Sequence, residues 1–150
     1  MEIIFENLKR CPLFAGISEN DLKSLINCLN AKEILTQKGE ILMNIGDRPD
    51  YIGIVLKGTL HIVQEDYWGN RTILTDVNMG GVFGEAFSCA EITKLPVSVI
   101  VREAGSVLLV NCKKIITTCS SSCLFHTRLI SNLMKILANK NIMLTEKMKH

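Results

Sequence analysis

Residues 80–101 contain the side chains best suited to binding chemistry. Their sequence is GGVFGEAFSCAEITKLPVSVIV, which begins with two glycines and places Glu85 directly after Gly84. Glycine lets the backbone come close to a ligand, and the small residues that follow predict one short helical turn whose free N–H groups can face an anion. A polar loop then leads to Pro96 and the β-branched residues 97–101. This order of strand, glycine turn, short helix, loop and strand predicts a cradle for a phosphate.

The arrangement resembles the phosphate-binding cassette of cyclic-nucleotide-binding domains, in particular that of the catabolite activator/fumarate–nitrate regulator (Crp/Fnr) family of bacterial transcription factors. In that family a cassette Glu holds the ribose 2′-hydroxyl, an Arg after a Pro neutralises the cyclic phosphate, and a Ser or Thr beside it adds a hydrogen bond. By this resemblance Glu85 matches the Glu and Ser98 the hydroxyl, whereas Val97 stands at the Arg position. The matching motifs are Phe83-Gly84-Glu85-Ala86-Phe87-Ser88 and Pro96-Val97-Ser98-Val99.

Val97 changes what the cassette is expected to bind. An Arg would give a phosphate a permanently charged, bidentate partner, and losing a charged hydrogen bond costs roughly 1.5–3 kcal/mol. We therefore expect cyclic AMP and cyclic GMP to bind weakly or not at all, and we expect the pocket to take another small anion or an apolar acid. The effector is not identified, and no cofactor is assigned. The expected effector-binding residues are Phe83, Gly84, Glu85, Ala86, Phe87, Ser88, Val97, Ser98, Leu144 and Thr145.

Composition describes an ordinary globular domain. The chain has 150 residues, of which 47% are hydrophobic and 21% charged, so it is long and apolar enough to bury a core. The net charge of +2 does not by itself imply nucleic acid. No apolar run reaches the roughly 18 residues of a membrane span, and the start MEIIFENLKR lacks a signal-peptide core. We expect a cytoplasmic protein without membrane contact.

The cysteines and histidines do not predict a metal centre. Six cysteines are present, but only Cys119 and Cys123 form a local motif, and two thiols are too few for a structural zinc site. We expect buried, reduced thiols, with redox or metal chemistry at this pair as the alternative. His61 and His126 are isolated, whereas a metal-binding cupin needs two histidines one residue apart on a strand. We therefore predict no catalytic residues and no metal ligands.

Three parts of the chain must position the cassette. Residues 1–30 are predicted to be helical, with a capping box that begins at Ser18. Residues 31–111 show turn signals about every ten residues, which predicts a mainly β fold, a double-stranded β-roll or jelly roll with flanking helices. The segments CPLFAGISENDLKSL and GDRPDYIGIVLKGTLHIV also resemble the same family. The expected strands are 33–37, 40–44, 51–57, 59–64, 71–78, 82–83, 97–103 and 106–111, and the turns between them include Lys57-Gly58 and Ala104-Gly105.

Residues 112–150 are predicted to form a long C-terminal dimerisation helix. Neither Gly nor Pro interrupts residues 124–148, and a heptad stripe runs along them. The alternative is that the helix packs on its own β-roll through Phe125, Leu129, Leu133 and Ile136. Asn141 within the stripe would fix the register of two copies. The expected dimer-interface residues are Ile130, Met134, Leu137, Asn141, Leu144 and Met148.

The resemblance implies the effector-sensing and dimerisation domain of a Crp/Fnr-type transcription regulator, without catalysis. Its implied partners are a second copy of the chain, DNA through a helix-turn-helix domain that these residues do not include, and RNA polymerase in the full-length protein. Two alternatives remain at this point. One is a stand-alone cyclic-nucleotide-type regulatory module, and the less favoured one is a cupin-like metalloenzyme.

Overall fold

A computed structural model describes residues 2–111, 113–114 and 124–148, with side chains for 6–111, 113–114 and 127–147. The helices are α1 (Glu2–Lys9), a 3₁₀ turn (Pro12–Phe14), α2 (Glu19–Cys28), α3 (Glu85–Cys89) and α4 (Leu124–Met148). The strands are β1 (Lys32–Thr36), β2 (Ile41–Met43), β3 (Tyr51–Glu65), β4 (Arg71–Val77), β5 (Val82–Phe83) and β6 (Ser98–Asn111).

The two long strands β3 and β6 pair antiparallel along most of their length. The sequence predicted turns at Gly58 and Gly105, and both predictions are wrong because each glycine lies inside a continuous strand. The ladder shifts register there, Gly58 has a φ of +94°, and a Cβ on Gly105 would overlap the Lys57 carbonyl. The glycines therefore permit a bulge that bends both strands. For this reason the structure has six strands where the sequence predicted eight.

The bend divides the sheet into two halves. In one half, the start of β3 pairs with the end of β6 and with β5, and β1 lies on the other side of β6. In the other half, the end of β3 pairs with the start of β6 and with β4, and β2 lies beside β6. The expected β-roll with flanking helices is thereby confirmed.

The core consists of two apolar clusters on opposite faces of the first half-sheet. Because side chains alternate along a strand, Ile52 and Ile54 of β3 face the helices while Val55 faces the interior of the roll. The helix-facing cluster includes Leu8, Leu22, Leu25, Val110 and Leu129, and the roll cluster includes Leu60, Phe83, Val99, Val101 and Val107.

The N-terminal helices are fixed by a cap and by a bond to α4. Ser18 Oγ accepts from the Asp21 N–H at 3.3 Å, which confirms the predicted start of α2. The buried Asn132 on α4 donates through Nδ2 to the carbonyls of Leu13 and Ala15, both at 2.9 Å. The amide thereby joins α4 to the segment around the 3₁₀ turn.

Helix α4 packs on its own roll through one face. The sequence offered packing on the chain's own β-roll as the alternative to dimerisation. This packing is confirmed for Leu129, Leu133 and Ile136, which are buried in the helix-facing cluster. Ile130 and Leu137, predicted for the dimer seam, are half-buried against the same cluster. Met134, Asn141 and Leu144 are exposed. The side chains of Phe125 and Met148 lie outside the described residues.

Candidate functional site

The cassette begins at a glycine that no other residue replaces easily. Gly84 follows β5 with a φ of +81°, and a Cβ there would lie 3.1 Å from the Tyr51 carbonyl oxygen. This conformation starts α3 directly at Glu85, whose side chain points inward and leaves the residue 3% exposed. A carboxylate this deeply buried requires a charged or hydrogen-bonding partner.

The partner of Glu85 is Lys140 of α4. The Lys140 ammonium forms an ion pair with Glu85 Oε1 and also donates to the Val82 carbonyl at 2.7 Å. The lysine side chain is 46% exposed, so it runs from solvent to the buried carboxylate. Glu85 is the residue expected to hold a ribose hydroxyl, and an ammonium of the same chain is bonded to it.

The two predicted serine anchors are also bonded within the chain. The Ser88 hydroxyl is buried and lies 2.9 Å from the carbonyl oxygens of both Pro49 and Tyr51. Ser98 Oγ accepts from the Ile45 N–H at 3.0 Å and donates to the Asn44 side-chain oxygen at 3.1 Å. The two hydroxyls therefore hold the loop between β2 and β3, and the first residue of β3, against the cassette.

Val97 is buried, with 5% of its surface exposed. An aliphatic side chain thus occupies the position at which the sequence comparison predicted a guanidinium, and it supplies no charge. The backbone beside it is joined to the loop before β3, because Gly46 N–H donates to the Leu95 carbonyl at 2.9 Å and Leu95 N–H to the Asp47 carbonyl at 2.8 Å. Apolar packing and backbone hydrogen bonds therefore join this end of the cassette to the loop before β3.

The remaining predicted site residues are spread over different environments. Phe83 is fully buried in the roll cluster, whereas Ala86 is exposed and Phe87 half-buried on α3. On α4, Leu144 is 59% exposed, and the Thr145 hydroxyl donates to the helix's own Asn141 carbonyl at 2.9 Å. The residue that α4 contributes to the cassette is Lys140, one turn before the predicted pair.

Sequence reasoning missed Lys140, although a signal was present. The inward stripe of α4 runs through Leu129, Leu133 and Ile136, spaced four and three residues apart. Continuing that stripe by four residues reaches Lys140. A lysine on the inward stripe of a helix is therefore a candidate partner for an acidic residue of the domain.

An open cavity of about 580 Å³ lies beside the cassette, on the side of the loop before β3. Its walls carry both signs of charge, and Arg48 forms a 3.2 Å ion pair with Asp50. Ser88 contributes to both the cassette and this cavity. The lining residues are Arg48, Pro49, Asp50, Tyr51, Ser88, Glu91, Ile92, Thr93, Asn111 and Lys113.

The described residues give no sign of a metal centre. His61 Nε2 lies 2.9 Å from Asp76 Oδ1, so this histidine has a carboxylate partner. Within residues 2–111, 113–114 and 124–148, no three His, Cys, Asp or Glu side chains come together as a metal site. Cys112, Cys119, Cys123 and the side chain of His126 lie outside the described part. None of the helices described is both long and apolar enough to span a membrane.

Comparison with known proteins agrees with this geometry. A sequence model of the cyclic nucleotide-binding domain matches residues 33–122. No curated protein matches the sequence. The structure resembles a cyclic nucleotide-binding domain from Methylobacillus flagellatus KT, with a TM-score of 0.80 and 14% identity over 97% of this chain and 80% of that one.

Two regulators of transcription have the same fold. The catabolite activator protein of Thermus thermophilus has a TM-score of 0.74 and 18% identity over 92% of this chain. The sensor domain of the transcriptional regulator DNR from Pseudomonas aeruginosa has a TM-score of 0.72 and 15% identity over 99% of this chain and 93% of that one. This chain covers 62% of the Thermus protein's length. Because the sequence model spans more than half of the residues, the chain belongs to the cyclic nucleotide-binding domain family.

Proposed function

We propose that this chain is the effector-sensing and dimerisation domain of a Crp/Fnr-type transcription regulator, and not an enzyme. The observation that carries the proposal is the double role of α4. On one face Lys140 binds the cassette carboxylate of Glu85, and elsewhere on the helix Met134 and Leu144 are 67% and 59% exposed. A helix that touches the ligand cassette and also presents apolar side chains to solvent can link ligand binding to assembly.

The exposed stripe of α4 suits a second copy of the same helix. Met134, Asn141 and Leu144 are spaced seven and three residues apart, which is the spacing of a heptad seam. Two copies related by a two-fold axis would cover these apolar side chains, and Asn141 would meet its own counterpart. Burial of a Met or Leu side chain is worth roughly 1.5–3 kcal/mol, of which part is lost to the entropy of association.

Similarity to the Thermus catabolite activator and to the DNR sensor domain supports the regulatory role. In this proposal, residues 1–30, 31–111 and 112–150 form the N-terminal helices, the β-roll and the dimerisation helix. DNA and RNA polymerase would be contacted by a larger protein of which this domain is a part, in the cytoplasm. The effector would bind at the cassette residues predicted from the sequence.

Cyclic AMP is not the effector that we propose. The buried Val97 supplies no charge for a phosphate, and the Glu85 carboxylate is already paired with Lys140. A cyclic nucleotide would have to compete with this ion pair for Glu85, and its phosphate would meet the uncharged Val97 at the position predicted for an Arg. Calorimetric titration of the domain with cyclic AMP should therefore show no binding at micromolar concentrations.

Sedimentation equilibrium of three variants tests the dimer. Met134→Glu and Leu144→Glu each place one carboxylate per chain in the proposed seam, and we expect each to weaken the dimer at least 100-fold. Asn139→Glu makes the same change of charge on an exposed position outside the seam, and it should leave the dissociation constant within about threefold. Leu137 is unsuitable for this test because it also packs on the chain's own core.

The experiment can contradict the proposal in two ways. If the unmodified domain sediments as a monomer at tens of micromolar, α4 does not drive assembly. If Asn139→Glu dissociates the dimer as strongly as Met134→Glu, the interface does not follow the predicted stripe.

A further inference from the structure

The cavity beside the cassette has walls that hydrogen bonds hold in place. Three segments form it, namely residues 48–51 before β3, residues 91–93 after α3, and the residues at the end of β6. The Ser88 hydroxyl lies 2.9 Å from the carbonyl oxygens of Pro49 and Tyr51, which joins the first segment to α3. The volume of about 580 Å³ falls within the roughly 300–1,000 Å³ of sites that bind small molecules. Among the described residues that line the cavity, Ser88 alone was predicted for the cassette.

Glu91 lines this cavity in a backbone conformation that suits glycine. Its φ is +56°, and its N–H donates to the Ser88 carbonyl at 3.3 Å at the C-terminal end of α3. Glycine is the usual residue at such a left-handed position, because a β-carbon makes the conformation strained. The other described non-glycine residue with a positive φ is Asn30, a residue type that tolerates it. Strained residues concentrate at functional sites, so the glutamate in the cavity wall indicates a function there.

Tyr51 and Asn111 place an aromatic ring beside an amide in the same cavity. They lie directly opposite each other on β3 and β6, so their side chains share one face of the sheet. The Asn111 side-chain oxygen accepts from the Lys113 N–H at 2.9 Å, and the two N–H groups of this amide have no partner within the described part of the chain. Tyr51 is 45% exposed. The cavity therefore offers an apolar platform with hydrogen-bond donors next to it.

The charges of the cavity walls balance. Arg48 and Lys113 are cationic, Asp50 and Glu91 are anionic, and Arg48 is bonded to Asp50 at 3.2 Å. A ligand with a large net charge gains little overall attraction from such walls. Hydroxyl groups suit them better, because each hydroxyl can accept from an amide and donate to a carboxylate.

We propose that this cavity is a second ligand site, separate from the cassette, and that it binds a neutral polyhydroxy compound the size of a monosaccharide or disaccharide. The C–H face of the sugar ring packs on the exposed ring of Tyr51. Its hydroxyls accept from the Asn111 amide and donate to the Glu91 carboxylate. Neither the dimer nor the effector of the cassette takes part in this site.

Saturation-transfer NMR of the 150-residue chain tests the site with a defined panel of probes. The panel is D-glucose, D-galactose, D-mannose, D-ribose, maltose and trehalose, each at about 5 mM, because much higher sugar concentrations stabilise any protein through exclusion from its surface. We expect at least one of them to bind with a dissociation constant below about 1 mM. Glucose 6-phosphate and glucosamine are charged counterparts of glucose, and they should bind no more tightly than glucose does.

Three variants with matched controls locate the bound sugar. Tyr51→Leu removes the aromatic ring, and Glu91→Ala removes the carboxylate without relieving the positive φ; each should weaken binding at least about tenfold. Glu91→Gly should weaken binding equally, and it should raise the melting temperature by about 2–4 °C because glycine adopts this conformation without strain. Tyr67→Leu and Glu33→Ala alter exposed residues outside the cavity, so they should leave binding unchanged.

The outcomes are distinct. Binding that both cavity residues weaken, with both controls unaffected, supports the proposal. If no probe of the panel binds at about 5 mM, or if either Tyr51→Leu or Glu91→Ala binds as well as the unmodified chain, the proposal is overturned. Tighter binding of glucose 6-phosphate or glucosamine than of glucose rejects the neutral ligand class. Glu91→Ala changes an exposed residue, so it decides the question even if Tyr51→Leu does not fold.

Discussion

Asn132 provides the sharpest test of how α4 is held on the domain. Its residue is 4% exposed, and both N–H groups of its side-chain amide are used, one for the Leu13 carbonyl and one for the Ala15 carbonyl. Asn132→Leu keeps a similar volume but removes both donors. Each carbonyl left without its partner costs about 1–3 kcal/mol, and the carbonyl of Ala15 lies at the lower end because its bond is only partly buried.

The two losses together amount to roughly 2–5 kcal/mol, and burial of the leucine side chain offsets about 1 kcal/mol of that. We therefore expect Asn132→Leu to lower the free energy of unfolding by about 3 kcal/mol, which corresponds to roughly 6–12 °C in melting temperature for a domain of this length. Urea unfolding followed by circular dichroism measures the difference directly.

Asn139→Leu is the matched control, because it makes the same substitution seven residues later on an exposed part of α4. Its free energy of unfolding should change by less than about 0.5 kcal/mol. If the two variants unfold at the same urea concentration, Asn132 does not anchor the helix and the argument from the two carbonyl bonds is refuted.

Three further predictions concern other parts of the domain. Burial raises the pKa of the Cys11 thiol from 9.0 to about 11, so this thiol should resist alkylation at pH 8, and stability should fall as pH rises from about 9 through 11. Gly105→Ala should lower stability by more than about 2 kcal/mol in urea unfolding, because its Cβ overlaps the Lys57 carbonyl. Hydrogen bonds from Asn70 and Trp68 lower the pKa of the Asp66 carboxyl below 3.8, so the turn between β3 and β4 should loosen only as pH falls below that value. Trp68 fluorescence measures this loosening, and Asp66→Ala should remove the pH-dependent transition.

The sequence predicted the type of fold but not the continuity of its longest strands. Gly58 and Gly105 were interpreted as turns because glycine is the usual residue where φ is positive or the chain reverses. A bulge within a strand can also require a residue with positive φ, and Gly58, which has a φ of +94°, lies at such a bulge. The difference lies in whether the pairing of β3 with β6 continues past the glycine. That is a property of residues about 45 positions apart, and it leaves no local pattern.

The sequence predicted the short helix at Glu85, but it did not predict the hydrogen bonds and the ion pair of the cassette residues. Glu85 lies in the short helix that the sequence predicted, whereas Val97 lies just before β6, which begins at Ser98 and not at residue 97. The partner of Glu85 is 55 residues away, so no spacing within the cassette could indicate it. Ser98 was expected to face a ligand because of the family resemblance, and Ser88 was expected to do so as a polar residue of the cassette. Their actual partners are carbonyl, amide and N–H groups of the loop before β3, which sequence patterns do not assign.

The heptad stripe predicted for dimerisation was only partly separable from core packing. Ile130 and Leu137 pack against the helix-facing cluster, while Met134 and Leu144 are exposed. A straight α-helix has 3.6 residues per turn, so a stripe with a 3.5-residue period drifts around its surface and meets the roll at some positions. A heptad pattern in the sequence therefore does not predict which of its residues pack on the chain's own core and which face solvent.

The continuity of α4 determines how far a change at the cassette can reach. The helix has neither Gly nor Pro between Leu124 and Met148, so no backbone position within it is predisposed to bend. Asn132 fixes its first half to the N-terminal segment, and Lys140 fixes its second half to Glu85. Loss of the Lys140 contact then leaves the helix anchored only in its first half, and the residues that follow are free to shift as a unit.

α4 can therefore occupy two states, one with Lys140 bound to Glu85 and one with Lys140 released. To change the ratio of these two states from 99:1 to 1:99, a ligand must bind the released state about 10⁴-fold more tightly than the other. A ligand that contacts Glu85 directly can favour the released state, because Lys140 occupies this carboxylate in the other state.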